Sequence, residues 1–165
     1  MELFLLRHGI AAEPGTGSFS KDSDRPLTGK GKTKLRDVVK AMRALELSFD
    51  LILSSPYVRA LQTAEIAATG LGARKKLELS RTLEPGGSFR DLIELLKTRR
   101  SSQVLVVGHE PFLSGLISFL VGGRPNLAIT MKKGGLCKLT IESLKYGRCA
   151  TLEWLLTPGQ MALMS

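Results

Sequence analysis

Apolar residues follow two rhythms along this chain. Unbroken apolar runs at 3–6, 51–53 and 104–107 are bounded by polar residues or glycine, which is how strands buried on both faces read. Between them, Leu35, Val38, Val39, Met42 and Leu45 recur at a helical period with charges on the opposite face. The pattern predicts a strand at 2–6, a polar loop at 10–27, a helix at 29–46, a strand at 50–54 and a helix at 56–69. It continues with a short extended piece at 77–80, a loop at 82–87, a helix at 89–98, a strand at 103–108 and a helix at 112–121, with antiparallel segments from about 128 onward. Alternating strands and helices imply an α/β fold with a mainly parallel sheet covered on both faces. The segments 136–144 and 148–156 alternate around Lys145-Tyr146 like a hairpin, which makes the sheet mixed.

Local punctuation supports these boundaries. Ser55 before Pro56 reads as a helix cap followed by proline at the first helical position, and Ser88-Phe89-Arg90-Asp91 as a capping box with the shorter carboxylate. Helices that begin directly after strands present backbone N–H groups and a favourable dipole to an anion. At 165 residues the chain suits one domain, residues 1–165, able to bury about two thirds of its unfolded surface. The longest apolar stretch, 112–121, is interrupted by serines and a glycine and falls short of the roughly 20 residues that span a bilayer. With no basic and apolar leader at the N-terminus, the expectation is a cytoplasmic protein with no membrane partner, acting as a monomer.

In the hairpin register that sets Leu139 against Leu152 and Ile141 against Ala150, Cys137 faces Trp154 while Cys149 faces Glu142 on the other side of the sheet. The two cysteines are therefore read as free thiols. A net charge of +9 and a pI near 9.9 imply attraction for anions. Lys30, Lys32, Lys34, Arg36, Lys40 and Arg43 form the solvated face of one amphipathic helix. With aromatics at only 5 % and none interleaved with a basic patch, no nucleic-acid partner is expected.

The chain has two histidines, His8 and His109, and each lies immediately beyond a predicted buried strand. Ligands of open α/β sheets collect at such strand ends. A single histidine there serves as readily as a hydrogen-bonded structural residue, but two in equivalent positions, one beside Arg7, point towards function. Arg59 falls in the first turn of the helix that follows Ser54-Ser55-Pro56. Alone it reads equally as a surface salt-bridge residue. Together, Arg7, His8, Arg59 and His109 make a cationic pocket whose self-repulsion calls for an anion.

Arg7-His8-Gly9, Ser54-Ser55-Pro56 with Arg59-Ala60-Leu61-Gln62-Thr63-Ala64, and Gly108-His109 resemble, in order and spacing, the histidine phosphatase superfamily. Arg25-Pro26-Leu27-Thr28 with Gly31 and the short length resemble its SixA-type phosphohistidine phosphatases in particular. The resemblance runs from residue 1 to about 121 and implies a three-layer α/β/α, phosphoglycerate mutase-like fold without a large cap insertion. It further implies that His8 is the nucleophile and becomes transiently phosphorylated, with Arg7 and Arg59 lowering its pKa so that it stays neutral. Arg7, Arg59 and His109 would clamp the phosphoryl oxygens. Arg25 would add a substrate contact from its loop, and Gly9 would let backbone approach the other ring nitrogen. With three arginines near and no clustered carboxylates, no metal and no other cofactor is expected.

The leaving group separates two readings. An alkoxide needs a general acid, for which Glu84 is the nearest candidate and Glu110 a weaker one. A phosphohistidine needs less help, because its P–N bond is labile once the imidazole is protonated. Only about 20 residues separate the Arg59 helix from the Glu84 loop, so a cap insertion has no room and a phosphohistidine-containing protein could reach the site. The first reading is therefore a metal-independent phosphohistidine phosphatase. The second is a small-molecule phosphomonoesterase with Glu84 as acid, and the third a non-enzymatic module that only recognises phosphate or nucleic acid.

Overall fold

Asp50, Ser54, Gln103 and Gly108 close off two of the apolar runs, and both runs become strands between those limits. The computed structural model describes residues 1–164. Its elements are β1 (Glu2–Arg7), α1 (Gly29–Ala44), β2 (Leu51–Ser54), α2 (Val58–Gly70), β3 (Leu77–Leu79), α3 (Phe89–Arg99), β4 (Gln103–Gly108), α4 (Phe112–Gly122), β5 (Leu136–Ile141), β6 (Ala150–Leu156) and α5 (Pro158–Ala162). One sheet carries all six strands in the order β3-β2-β4-β1-β5-β6. The first four run parallel, while β5 lies antiparallel to β1 and β6 antiparallel to β5. The mixed, mainly parallel α/β sheet read from the sequence is the one observed.

Side-chain alternation along each strand sorts the apolar runs into two cores. Leu3, Leu5, Leu53, Val104 and Val106 face α3 and α4, packing on Leu92, Leu96, Leu113 and Leu116. Phe4, Leu6, Ile52, Leu105 and Val107 face α1, α2 and α5, packing on Val38, Met42, Ala64 and Met161. These are the three layers of the expected fold. Between α2 and Arg81 the chain has room only for β3 and a short 3-10 turn, so no cap is inserted there. No helix among the described residues is long and apolar enough to cross a membrane.

Several local details differ from the sequence reading. Helix α2 starts at Val58, with Tyr57 rather than Ser55 at the N-cap and Pro56 outside the helix. The Ser55 hydroxyl instead turns to another partner, described below. The hairpin strands are shorter than the alternation suggested, and a bulge between Lys138 and Leu139 shifts the register. Leu139 still opposes Leu152 and Ile141 opposes Ala150, but Cys137 faces Leu155 rather than Trp154, which pairs with Lys138. Both cysteines are free. Ser88 caps α3 by accepting from the Asp91 N–H at 3.2 Å, one half of the expected box. The terminal α5 was not anticipated, although Thr157 and Gln160 carry its full capping box.

The connections locate the ligand end of the sheet. The β1–α1–β2 crossover leaves β1 on one face, towards β2, whereas β4–α4–β5 leaves β4 on the other face in the opposite direction. Neighbouring strands whose connections diverge in this way open a crevice beyond their carboxyl ends. Arg7 and Gly108 are register partners at that edge, so the two histidines emerge side by side.

Candidate active site

His8 and His109 are the first residues past β1 and β4. The His8 N–H donates to the Gly108 carbonyl at 3.0 Å, and the two imidazole centroids lie 5.2 Å apart. Both are nearly buried, at 6 % and 2 % exposure. His8 Nδ1 is 2.7 Å from the Gly9 carbonyl oxygen. A carbonyl only accepts, so Nδ1 carries the proton and Nε2 keeps a free lone pair. Gly9 in turn donates its N–H to Thr63 Oγ1 at 3.1 Å, and that hydroxyl donates to the Arg59 carbonyl at 2.7 Å. Both backbone groups of Gly9 are thus engaged inside the protein. Its lack of a side chain serves packing, since a Cβ there would stand 2.7 Å from Leu35 Cδ1.

The arginines converge from three segments. Arg7 Nη1 donates to the Met131 carbonyl at 2.8 Å. Arg59, 4 % exposed, comes from the first turn of α2. Its Nη1 donates to the Asp22 carbonyl at 2.8 Å and its Nη2 to Asp22 Oδ2 at 3.0 Å. Arg25 Nε donates to the other carboxylate oxygen of Asp22 at 2.8 Å. Asp22 therefore bridges the two arginines and holds Arg25 at the site. Partial burial pushes its carboxyl up, but the hydrogen bonds from Arg59 and Arg25 outweigh this and hold it below its ordinary value. The loop is anchored to α2 by Gln62 Oε1, which accepts from the Leu27 N–H at 2.8 Å.

His109 Nε2 lies 2.8 Å from Ser55 Oγ, which also accepts from the Tyr57 N–H at 3.3 Å. Tyr57 stands edge-on to the same ring at 5.2 Å between centroids and receives the Arg59 guanidinium over its face at 5.2 Å. Among the described residues, the buried side-chain nitrogens and oxygens without a hydrogen-bond partner are Arg7 Nε, Arg59 Nε and His109 Nδ1. All three belong to this cluster.

The electrostatics keep both imidazoles neutral. Burial is the leading cause that lowers the His8 pKa to about 4, with the Gly9 hydrogen bond opposing and Arg59, Arg7 and Lys133 adding to it. The sequence reading assigned this shift to the neighbouring cations, which here rank behind desolvation. His109 falls to about 3, again chiefly through burial, with Arg59 and His8 next and Asp22 opposing. Each folded value lies below the ordinary 6.5, so on acidification the unfolded chain takes up protons before the native one does. Stability is then lost as pH falls from 6.5 through about 4 towards about 3. Because these are the chain's two histidines, proton NMR reads them directly. Both imidazole signals are expected to hold steady through pH 6.5 and to move only near about 4 for His8 and about 3 for His109. An inflection near 6.5 on either ring contradicts this account.

The structure thus brings Arg7, His8, Arg59, His109 and Arg25 together. Glu84 does not join their hydrogen-bond network; its partly exposed carboxylate faces Arg81 at 3.8 Å. Its loop does lie beside the site, since the Leu83 carbonyl borders Gly108. Glu110 Oε1 accepts from the Ser114 N–H at 2.8 Å in the first turn of α4. Sequence reasoning missed Asp22, Ser55 as a histidine partner, and Tyr57. The signal for Asp22 was its place three residues before Arg25, an acid-arginine spacing that a 3-10 turn brings into contact. No group of three or more His, Cys, Asp or Glu side chains among the described residues is gathered as metal ligands.

Comparison with known proteins places the chain among relatives. Residues 3–84 match the model of the histidine phosphatase superfamily, branch 1. The chain is 27 % identical over 166 residues to the phosphohistidine phosphatase SixA of Escherichia coli K12, covering 99 % of this chain and 98 % of that one. It is 31 % identical over 134 residues to a SixA homolog of Haemophilus influenzae, covering 75 % and 79 %. The solved structure of the protein histidine phosphatase SixA complexed with tungstate superposes with a TM-score of 0.81 at 27 % identity, over 96 % of this chain and 98 % of that one. With a sheet that places paired histidines and an arginine cluster at its switch point, and with these relatives along its length, the chain belongs to the histidine phosphatase superfamily, branch 1, among its SixA-like members.

Proposed function

We propose that this phosphatase-like chain hydrolyses phosphohistidine carried on a protein, with His8 as the phosphoryl acceptor and no metal ion. The observation that carries this reading is the set of three unpartnered buried nitrogens on Arg7, Arg59 and His109 beside a histidine whose Nε2 is free. An unsatisfied buried donor costs about 1–3 kcal/mol. The Arg7 and Arg59 Nε–H groups are two such donors, and His109 Nδ1 is the third in the tautomer whose Nε2 accepts from the Ser55 hydroxyl; gathered around one nucleophile, they are best explained by an anion that supplies the acceptors.

In the first step the His8 Nε2 lone pair attacks phosphorus and the substrate's P–N bond breaks. The departing imidazole already carries a proton on its remote nitrogen and leaves neutral. Arg7, Arg59 and His109 would share the charge spread over the phosphoryl oxygens, with Arg25 at the entrance. Water then attacks phosphorus and the P–Nε2 bond breaks. Phosphate departs as H2PO4⁻ with both of the water's protons, and His8 is restored neutral with its proton still on Nδ1. The missing cap supports a protein-borne substrate, because a phosphohistidine on a folded surface needs an unlidded approach.

A small-ester phosphatase is the second reading, favoured by the Glu84 loop lying against the end of β4. A substrate panel separates the two. Protein phosphohistidine is expected to turn over at least tenfold more efficiently than small phosphate monoesters. Glu84→Gln is expected to leave phosphohistidine hydrolysis within about twofold while an acid-dependent ester loses about 10²-fold. Faster ester turnover, or a large Glu84→Gln loss on phosphohistidine, selects the second reading.

A further inference from the structure

Away from the site, the seam between α1 and α2 holds a groove of about 550 Å³. Lys32, Arg36, Lys40 and Arg43 line it from α1, and Arg74 lines it from beyond α2, against Glu65 as the acidic member. The sequence reading took the basic residues of α1 as a solvated face. That face is solvent-accessible, and its positions 32, 36, 40 and 43 also form one stripe on the side of α1 that meets α2. Among the described residues, Lys40 pairs with Asp37 at 2.9 Å and Arg74 donates to Thr69 Oγ1, but no carboxylate pairs with Lys32, Arg36 or Arg43. Like charges gathered along one groove repel one another, and an acidic occupant relieves that repulsion.

One lining side chain links the groove to the loop that carries Arg25. Gln62 lines the groove and also holds the Leu27 N–H of that loop, one turn beyond Arg59. At 1.5 Å per residue the basic stripe is about 16 Å long, which matches about five residues of extended polypeptide. No aromatic side chain lines it, so stacking of nucleic-acid bases has no platform there.

We propose that the α1–α2 groove docks a short acidic segment of the phosphoprotein substrate. The inference rests on the phosphohistidine reading above and adds where the substrate is held and what chemistry recognises it. Arg36 and Arg43 are exposed and lie outside the catalytic cluster, so Arg36→Glu with Arg43→Glu tests the groove without disturbing the site.

The first measurement is binding of a labelled hexaglutamate peptide, with a hexathymidine oligonucleotide of similar charge for comparison. The native chain is expected to bind the peptide more tightly than the oligonucleotide, and the double variant to bind it at least tenfold more weakly. Tighter binding of the oligonucleotide, or an unchanged peptide affinity in the double variant, overturns the proposal. The second measurement compares phosphohistidine peptides flanked by glutamates or by glutamines. The native chain should favour the acidic peptide at least fivefold in kcat/KM, through KM. The double variant should lose that preference while hydrolysing phosphoimidazole within twofold of the native rate. Equal kcat/KM for the two peptides in the native chain sinks the groove and leaves the phosphatase reading standing. Hexaglutamate binding that is lost in the double variant, together with no phosphohistidine turnover by the native chain, sinks the phosphatase reading alone.

Discussion

His8→Ala is expected to lower kcat/KM by about 10⁴-fold or more, the scale seen when the nucleophile of a covalent mechanism is removed. The substitution deletes the free Nε2 but leaves Arg7, Arg59 and His109 in place, so the variant should still bind inorganic phosphate. Loss of turnover with retained anion binding is the signature of a missing acceptor rather than a collapsed pocket. A second readout uses the acid lability of the P–N bond. Radiolabelled phosphate from a phosphohistidine substrate should remain on the native chain after an alkaline quench and be absent from His8→Ala. Turnover that survives in the variant, or label on it, rules out His8 as acceptor. Phosphate binding without turnover or label in the native chain favours a recognition module.

Arg59→Ala is expected to have the next largest effect, with kcat/KM falling by about 10²- to 10³-fold, as when one donor that stabilises transition-state charge is removed. Arg59 also grips Asp22 through both a backbone and a carboxylate contact, so its loss frees the link that holds Arg25. Among the charged neighbours it is the first contributor to the depressed pKa of both His8 and His109. Removing a cation makes protonation easier. Both imidazoles should therefore titrate at higher pH in the variant, and the acid limb of the activity profile should move up with His8. Arg59→Lys restores charge without the fork, so it should recover much of the pKa shift but less of the rate. Unmoved titrations in Arg59→Ala refute the electrostatic part of the mechanism, whatever happens to the rate.

Much of the fold was legible because strand burial leaves a local trace. Strand β4 begins and ends at the residues the apolar run suggested, and β1, β2 and α4 each differ from their expected bounds by one residue at one end. Apolar period and chain punctuation act over a few residues, so one sequence carries them. The hairpin register was right at Leu139 and Ile141 but slipped at Cys137, since a bulge inserts a residue without leaving a periodic signal. The Ser55 cap also failed. The helix starts only at Val58, and the Ser55 hydroxyl serves the Tyr57 N–H and His109, 54 residues away.

The candidate site divides along the same line. Arg7, His8, Arg59 and His109 could be picked out because each stands at a strand end or a helix start. Asp22 bridging Arg59, and Met131 receiving Arg7, join positions 37 and 124 residues apart, and only the strand order brings such positions together. By itself, then, the sequence determined the alternation of strands and helices and the kinds of side chain at their ends, because both depend on near neighbours. The tertiary structure decided which of those side chains meet, that burial more than the adjacent arginines keeps both histidines neutral, and that the solvated basic face of α1 also walls a groove. Contact and desolvation depend on the packing of distant segments, which local periodicity does not encode.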